Sequence, residues 1–212
     1  MMKVVVFNGS PKANGNTGSA LKIITSQLEK EGIEVETLHV GNKELRGCIA
    51  CNGCVRNKDE KCILKDEYVN TWIQKIKDAD GIILSSPVHF SSLGATMKAF
   101  LDRAFYVASV NGSLFRHKVG ASVVAVRRSG GLPAFEQLNN YINYSEMVMP
   151  TSNYWNVIHG TIPGDTEGDL EGQQIMRVLG KNMAWVLKLI ENGKGKIEEP
   201  KREEKVFTHF IR

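Results

Sequence analysis

Lys3-Val4-Val5-Val6-Phe7-Asn8-Gly9-Ser10-Pro11-Lys12-Ala13-Asn14-Gly15-Asn16-Thr17-Gly18-Ser19 is the stretch that decides the fold. Val4–Asn8 is a short β-branched run and reads as a strand. It breaks into a turn rich in glycine, amide and hydroxyl side chains. From Thr17 to Glu31 the apolar residues Ala20, Leu21, Ile23, Ile24 and Leu28 recur with a helical period, and Gly32 then stops the helix. Ile33–Val40 alternates apolar and polar residues, as a second strand does. Strand, turn, helix and strand in this order form a βαβ unit, whose two strands run parallel.

The same alternation continues outward from this unit. Helices are expected over Tyr68–Ala79, Gly94–Ala108, Leu132–Ile142 and Asp169–Asn192. Strands are expected over Gly81–Ser85, Lys118–Val126 and Met147–Tyr154. The third and fourth strands are near-continuous apolar runs, the mark of parallel strands buried on both faces. Five strands with intervening helices imply an α/β fold, a doubly wound parallel sheet that binds its ligand at the carboxyl ends of the strands. Trp72, Trp155 and Trp185 fall at helical or strand positions and read as core.

With 212 residues the chain is one domain, at about 100–200 residues per domain. Its 42% hydrophobic and 24% charged residues exclude a wholly disordered or collagenous chain. The net charge of +4 is interspersed rather than striped, which argues against a nucleic-acid partner. No apolar run approaches the roughly 18 residues of a membrane span, and the N-terminus lacks a signal peptide's pattern. A cytoplasmic protein is the expectation. The domain is expected over 1–192, with a charged arm over 193–212 whose aromatic end, Val206 to Arg212, docks on the body or on a neighbouring subunit.

The turn after the first strand is placed for anion binding, because a helix N-terminus offers free N–H groups and a positive dipole end. Two familiar nucleotide loops are excluded. Gly15 is followed by Asn16, not by the Lys-Ser/Thr of a P-loop, and Gly9, Gly15 and Gly18 do not fit G-x-G-x-x-G. What remains suits a phosphate monoester held mainly by neutral donors, with Ser10, Lys12, Asn14, Gly15, Asn16 and Thr17 as candidates. An ordinary polar turn with Thr17 as helix N-cap is the plainer alternative, but the density of glycine and hydroxyl groups exceeds what a cap needs.

Gly9-Ser10-Pro11-Lys12-x-x-Gly15-Asn16-Thr17 resembles the FMN-phosphate loop of the flavodoxin-like NAD(P)H-dependent FMN reductases. Three further stretches carry the likeness. Ser86-Pro87-Val88-His89-Phe90-Ser91 resembles the loop that lines the isoalloxazine ring, with His89 where that family usually has Tyr or Trp. Lys98-x-Phe100-Leu101-Asp102-Arg103 resembles a family helix, in which Asp102 and Arg103 pair structurally or at a subunit contact, the structural role being the expectation. Ser129-Gly130-Gly131, after Arg127 and Arg128, stands where a Gly-rich turn borders the ring; the two arginines could attract a reduced flavin or a dinucleotide phosphate. The resemblance runs from Val4 to Met149 and includes the terminal Thr208-x-Phe210-Ile211-Arg212. It implies a flavodoxin-like five-stranded sheet, FMN as cofactor, and NAD(P)H as co-substrate. It also implies a small-molecule or protein electron acceptor and a homodimer or tetramer.

All four cysteines lie between residues 48 and 62, as Cys48-x2-Cys51-x2-Cys54-x7-Cys62, in a loop over 46–66 after the second strand. In a reducing compartment such a cluster reads as metal or redox chemistry. A [4Fe–4S] cluster, an all-thiolate zinc site and metal-free thiols all remain open. The spacing resembles the compact motif of the iron–sulfur flavoprotein subgroup. The implied activity is transfer of electrons from NAD(P)H through FMN to an acceptor. The alternative is an electron carrier between protein partners without nicotinamide turnover.

Overall fold

The computed structural model describes residues 1–208 and 210. The elements in chain order are β1 (Lys3–Asn8), α1 (Asn16–Lys30), β2 (Glu34–His39), α2 (Gly53–Asn57), α3 (Val69–Asp78), β3 (Gly81–His89), β4 (Ser92–Leu93), α4 (Ala95–Val110), β5 (Val119–Val126), α5 (Gly131–Tyr144), β6 (Val157–His159) and α6 (Leu170–Gly193). Five strands form a parallel sheet in the order β2-β1-β3-β5-β6, and β4 folds back antiparallel on the end of β3. The order reverses between β1 and β3, and at such a switch point a crevice opens beyond the strands' carboxyl ends.

Alternation along β1 explains the layers. Val4 and Val6 face α1 and α6, among Ile24, Leu28, Met176 and Leu179. Val5 and Phe7 face α3 and α4, where Phe7, Trp72 and Phe100 pack ring against ring at 4.8–6.2 Å. Successive side chains of a strand point to opposite faces, so the four-residue run Val4–Phe7 seeds both cores.

Two expectations are corrected here. The last strand is not Met147–Tyr154. Only Val148 bridges to Val119, and the edge strand is β6, paired with Val124–Val126. Pro150 has no N–H for a ladder. The buried Asn156 takes over the pairing instead, donating to Ser122 O at 3.0 Å and accepting from Val124 N at 3.0 Å. Trp72 is core, but Trp155 lies in the loop before β6 with 49% of its surface exposed, and Trp185 sits on the outer face of α6 with 63% exposed.

Beyond α6 the chain returns along the body through Arg116 Nη1 to Pro200 O (3.0 Å), His117 to Glu199 (3.0 Å) and Lys205 to Tyr144 Oη (2.8 Å). Among the described residues of the aromatic end, Val206, Phe207 and Phe210 are exposed. His209, Ile211 and Arg212, part of the terminal likeness, lie outside the described residues. Among the described residues no helix is long and apolar enough to cross a membrane.

Candidate functional site

The turn after β1 is braced from within. Asn8, 4% exposed, accepts from Ser10 N at 3.0 Å and donates Nδ2–H to Ala13 O at 3.2 Å. His39, at the end of β2, donates Nε2–H to Ser10 O at 2.6 Å, a role the carbonyl partner imposes on that nitrogen. Ser10 Oγ accepts from Lys12 N at 3.2 Å. These bonds hold the loop back and leave the start of α1 clear.

That helix start is open. Gly15, not Thr17, is the N-cap, and no side chain caps the helix; no acidic residue stands in its first turn. The N–H groups of its first turn have no partner within the helix, and the dipole adds positive potential there. Gly18 lets the loop close in, since a Cβ there would stand 2.2 Å from Ala13 O. Among the described residues Asn16 Oδ1 is buried without a hydrogen-bond partner. Such an orphan costs on the order of 1–3 kcal/mol. A hydroxyl of a ligand in the cleft would satisfy it.

The cleft itself has a volume of about 350 Å³. Ser10, Lys12, Gly15, Asn16 and Thr17 form one wall. Pro87, Val88 and His89 come from the end of β3, Ala125 and Arg127 from β5, and Gly160, Thr161 and Pro163 from the segment after β6. Lys12 and Arg127 give it positive charge, and among the described residues no carboxylate lines it. The donor set therefore fits an anionic ligand with hydroxyls, which describes the phosphate and ribityl parts of FMN.

The remaining candidates sit around this cleft rather than in it. Asn14 is exposed. Phe90 and Ser91 are the two-residue turn between β3 and β4, both at positive φ (49° and 60°), with Phe90 fully exposed at its tip. Two-residue hairpins need such angles, which an Asn-Gly pair supplies with less strain. Ser92 Oγ donates to Gln137 Oε1 at 2.8 Å and ties the hairpin to α5. Gly130, at φ +85°, packs on Ser91. Ser129, Gly130 and Gly131 line a neighbouring hollow of about 270 Å³ with Arg128, Tyr154, Trp155 and His159.

The cysteine loop leaves the carboxyl end of β2, at the same edge of the sheet. Ala50 and Asn52 adopt left-handed backbone (φ 53° and 55°). These bends, with α2, bring Cys48, Cys51, Cys54 and Cys62 to the wall of one small cavity, closed by Ile49, Ile63, Leu64, Arg103, Tyr106 and Val107. All four thiols are free. Burial pushes the Cys54 thiol up, and the nearby Cys62 and Cys48 add to it. Asn70 brackets Cys62, accepting from its N–H at 2.8 Å and donating to its carbonyl at 3.0 Å. Among the described residues no three His, Cys, Asp or Glu side chains are gathered around a single ion position. Four thiols on one cavity wall are the donor chemistry of an iron–sulfur or an all-thiolate zinc site.

The family model for NADPH-dependent FMN reductases matches residues 2–161. The chain belongs to this family. It is similar to an iron–sulfur flavoprotein of Methanocaldococcus jannaschii, 37% identical over 197 residues that cover 90% of this chain and 100% of that one. An iron–sulfur flavoprotein of Methanosarcina thermophila is 28% identical over 197 residues, covering 92% and 100%. The family and its iron–sulfur flavoprotein subgroup make the chain an FMN-dependent flavoprotein oxidoreductase. An archaeal flavodoxin superposes with a TM-score of 0.58 at 16% identity, covering 88% of this chain and 99% of that one; at that identity it shows the flavodoxin-like fold alone.

Two features of the site escaped the sequence reading. Asn8 and His39 shape the loop from behind, and Gly160–Pro163 close the cleft from the far strand. Asp102 and Arg103 do not pair. Consecutive helix residues point about 100° apart. Asp102 meets Lys98 at 2.7 Å and the Tyr141 hydroxyl. Burial, followed by that carboxylate, pushes the Tyr141 hydroxyl up to about 12. Arg103 turns inward to Asp66 at 2.5 Å.

Proposed function

We propose that the cleft binds FMN with its phosphate at the N-terminus of α1, that NAD(P)H is the electron donor, and that Cys48, Cys51, Cys54 and Cys62 hold a [4Fe–4S] cluster through which electrons reach an acceptor. The observation that carries this reading is the pairing of an uncapped, carboxylate-free helix start with four thiols on one cavity, both at the carboxyl edge of the sheet. FMN, when bound, supplies hydride acceptance and one- or two-electron release.

The residues of the chain bind and orient. The first N–H groups of α1, with Ser10 and Thr17, would hold the phosphate. Lys12 and Arg127 would balance its charge. Pro87 and Val88 present an apolar wall, and His89 stands at the mouth as a donor or acceptor. Tyr154, Trp155 and Phe90 leave aromatic surface around the site exposed, which supports a homo-oligomer. A cytoplasmic location accords with four unpaired thiols.

The test is anaerobic mixing of the FMN-loaded chain with NADH or NADPH. Rapid, saturable loss of the flavin's visible absorbance is the expected result. Loss of colour only when a separate reductase is added would contradict nicotinamide turnover and make the chain an electron carrier between proteins.

A further inference from the structure

Arg103 has no part in the FMN cleft, yet it is among the most deeply buried large side chains, at 2% exposure. Each of its three guanidinium nitrogens has a partner. Nε donates to Cys62 Sγ at 3.2 Å, Nη1 to Arg46 O at 3.4 Å and Nη2 to Leu64 O at 2.9 Å. Asp66 pairs with Nη2, while Asp66 Oδ1 accepts from Tyr68 N and Val69 N at 2.9 and 2.7 Å. Arg46 precedes the first cysteine; Leu64 and Asp66 follow the last. One side chain from α4 thus clamps both ends of the cysteine loop and touches a thiol between them.

A buried ion pair is a poor way to gain stability, because desolvation offsets the attraction. Well-packed apolar residues in place of a buried ion pair are often neutral or stabilising. The guanidinium does something an apolar residue cannot. It offers a fixed N–H to a sulfur, and hydrogen bonds to ligand sulfurs set the reduction potential of iron–sulfur clusters.

We propose that Arg103 is the positioning residue of the cysteine site: it fixes the two flanks of the loop and, by its N–H···S bond to Cys62, makes the bound cluster easier to reduce. This rests on the cluster reading above. Reduction adds one electron to the iron–sulfide core and its thiolates, and a fixed donor at one thiolate favours the more negative state. Removing the donor therefore moves the potential down.

The experiment compares three anaerobically reconstituted chains: wild type, Arg103→Lys, and the double variant Arg103→Met with Asp66→Asn. The lysine keeps the charge without the Nε donor. The double variant removes both charges, so that neither is stranded. FMN content reports that each is folded. Iron content, release of iron to a chelator, and an electron paramagnetic resonance-monitored redox titration are the readouts. The expected results are a more negative midpoint potential in Arg103→Lys and iron release about 10- to 100-fold faster in the double variant, the usual effect of losing a partner behind a metal ligand. Wild-type potential and release rate in whichever variants bind FMN would overturn the inference. A wild-type chain that takes up no iron would overturn the cluster reading itself, and the inference with it.

Discussion

Gly18→Val is expected to weaken FMN binding by at least about 100-fold while leaving riboflavin binding little changed, since two charge-assisted hydrogen bonds at about 1.5–3 kcal/mol each are at stake. Helix propensity alone predicts the opposite sign for stability, because glycine inside a helix is destabilising by about 1 kcal/mol relative to alanine. The local geometry decides otherwise. Any Cβ at 18 stands 2.2 Å from Ala13 O, a backbone atom that cannot rotate away. The loop must move outward, and Asn8 must release Ala13 O, which it holds at 3.2 Å. The N–H groups at the start of α1 then no longer share one centre with Ser10. Riboflavin lacks the phosphate and does not sense the loss. Parallel titrations of the apoprotein with FMN and riboflavin, followed by flavin fluorescence, measure both. An FMN affinity within about threefold of wild type, under 1 kcal/mol, would remove the phosphate from this end of the helix.

Cys54→Ala is expected to remove essentially all iron from the purified chain and to leave FMN content intact. Cys54 is the buried member of the four, on α2, and faces Cys48 and Cys62 across the cavity. With one thiolate gone a four-ligand site is open to solvent and the cluster is lost. The fold has less to lose: one sulfur atom leaves a small void, with a cost of about 1 kcal/mol. Iron, acid-labile sulfide and zinc are measured on the same anaerobic preparation. Undiminished iron would show that these cysteines are not its ligands. Zinc in place of iron in the wild type would reassign the site to an all-thiolate zinc centre.

What the sequence makes legible follows period and adjacency. Val4–Phe7, the Ile82-Ile83-Leu84 run and Val119–Val126 are long enough to read as buried parallel strands, and they stand side by side as expected. Ser10, Lys12, Gly15, Asn16, Thr17, Pro87, Val88 and His89 were legible as site candidates because they lie at the end of such a strand or between it and the start of the next helix, and the structure gathers them into one cleft. The strand β6 has three residues and therefore no period to detect; with it went Gly160, Thr161 and Pro163. Arg103 stood in a recognisable helix, but its partner Asp66 lies far away in the cysteine loop, and nothing local announces the pair. Trp155 and Trp185 mislead for a related reason. A tryptophan at a helical or strand-like position reads as core until the neighbouring layer is known, and here the outer face of α6 and the loop before β6 have no layer above them.

On the proposed reading, one chain holds FMN at the start of α1 and an iron–sulfur cluster on its four cysteines. The direct measurement is an ultraviolet–visible spectrum of anaerobically purified protein, with FMN, iron and zinc quantified on the same sample. The expected result is flavin bands over a broad iron–sulfur absorption, with about one FMN and about four irons per chain. Flavin bands without iron would remove the cluster and leave an FMN site with four unassigned thiols. A colourless protein that takes up no FMN when it is supplied would contradict the account at its base.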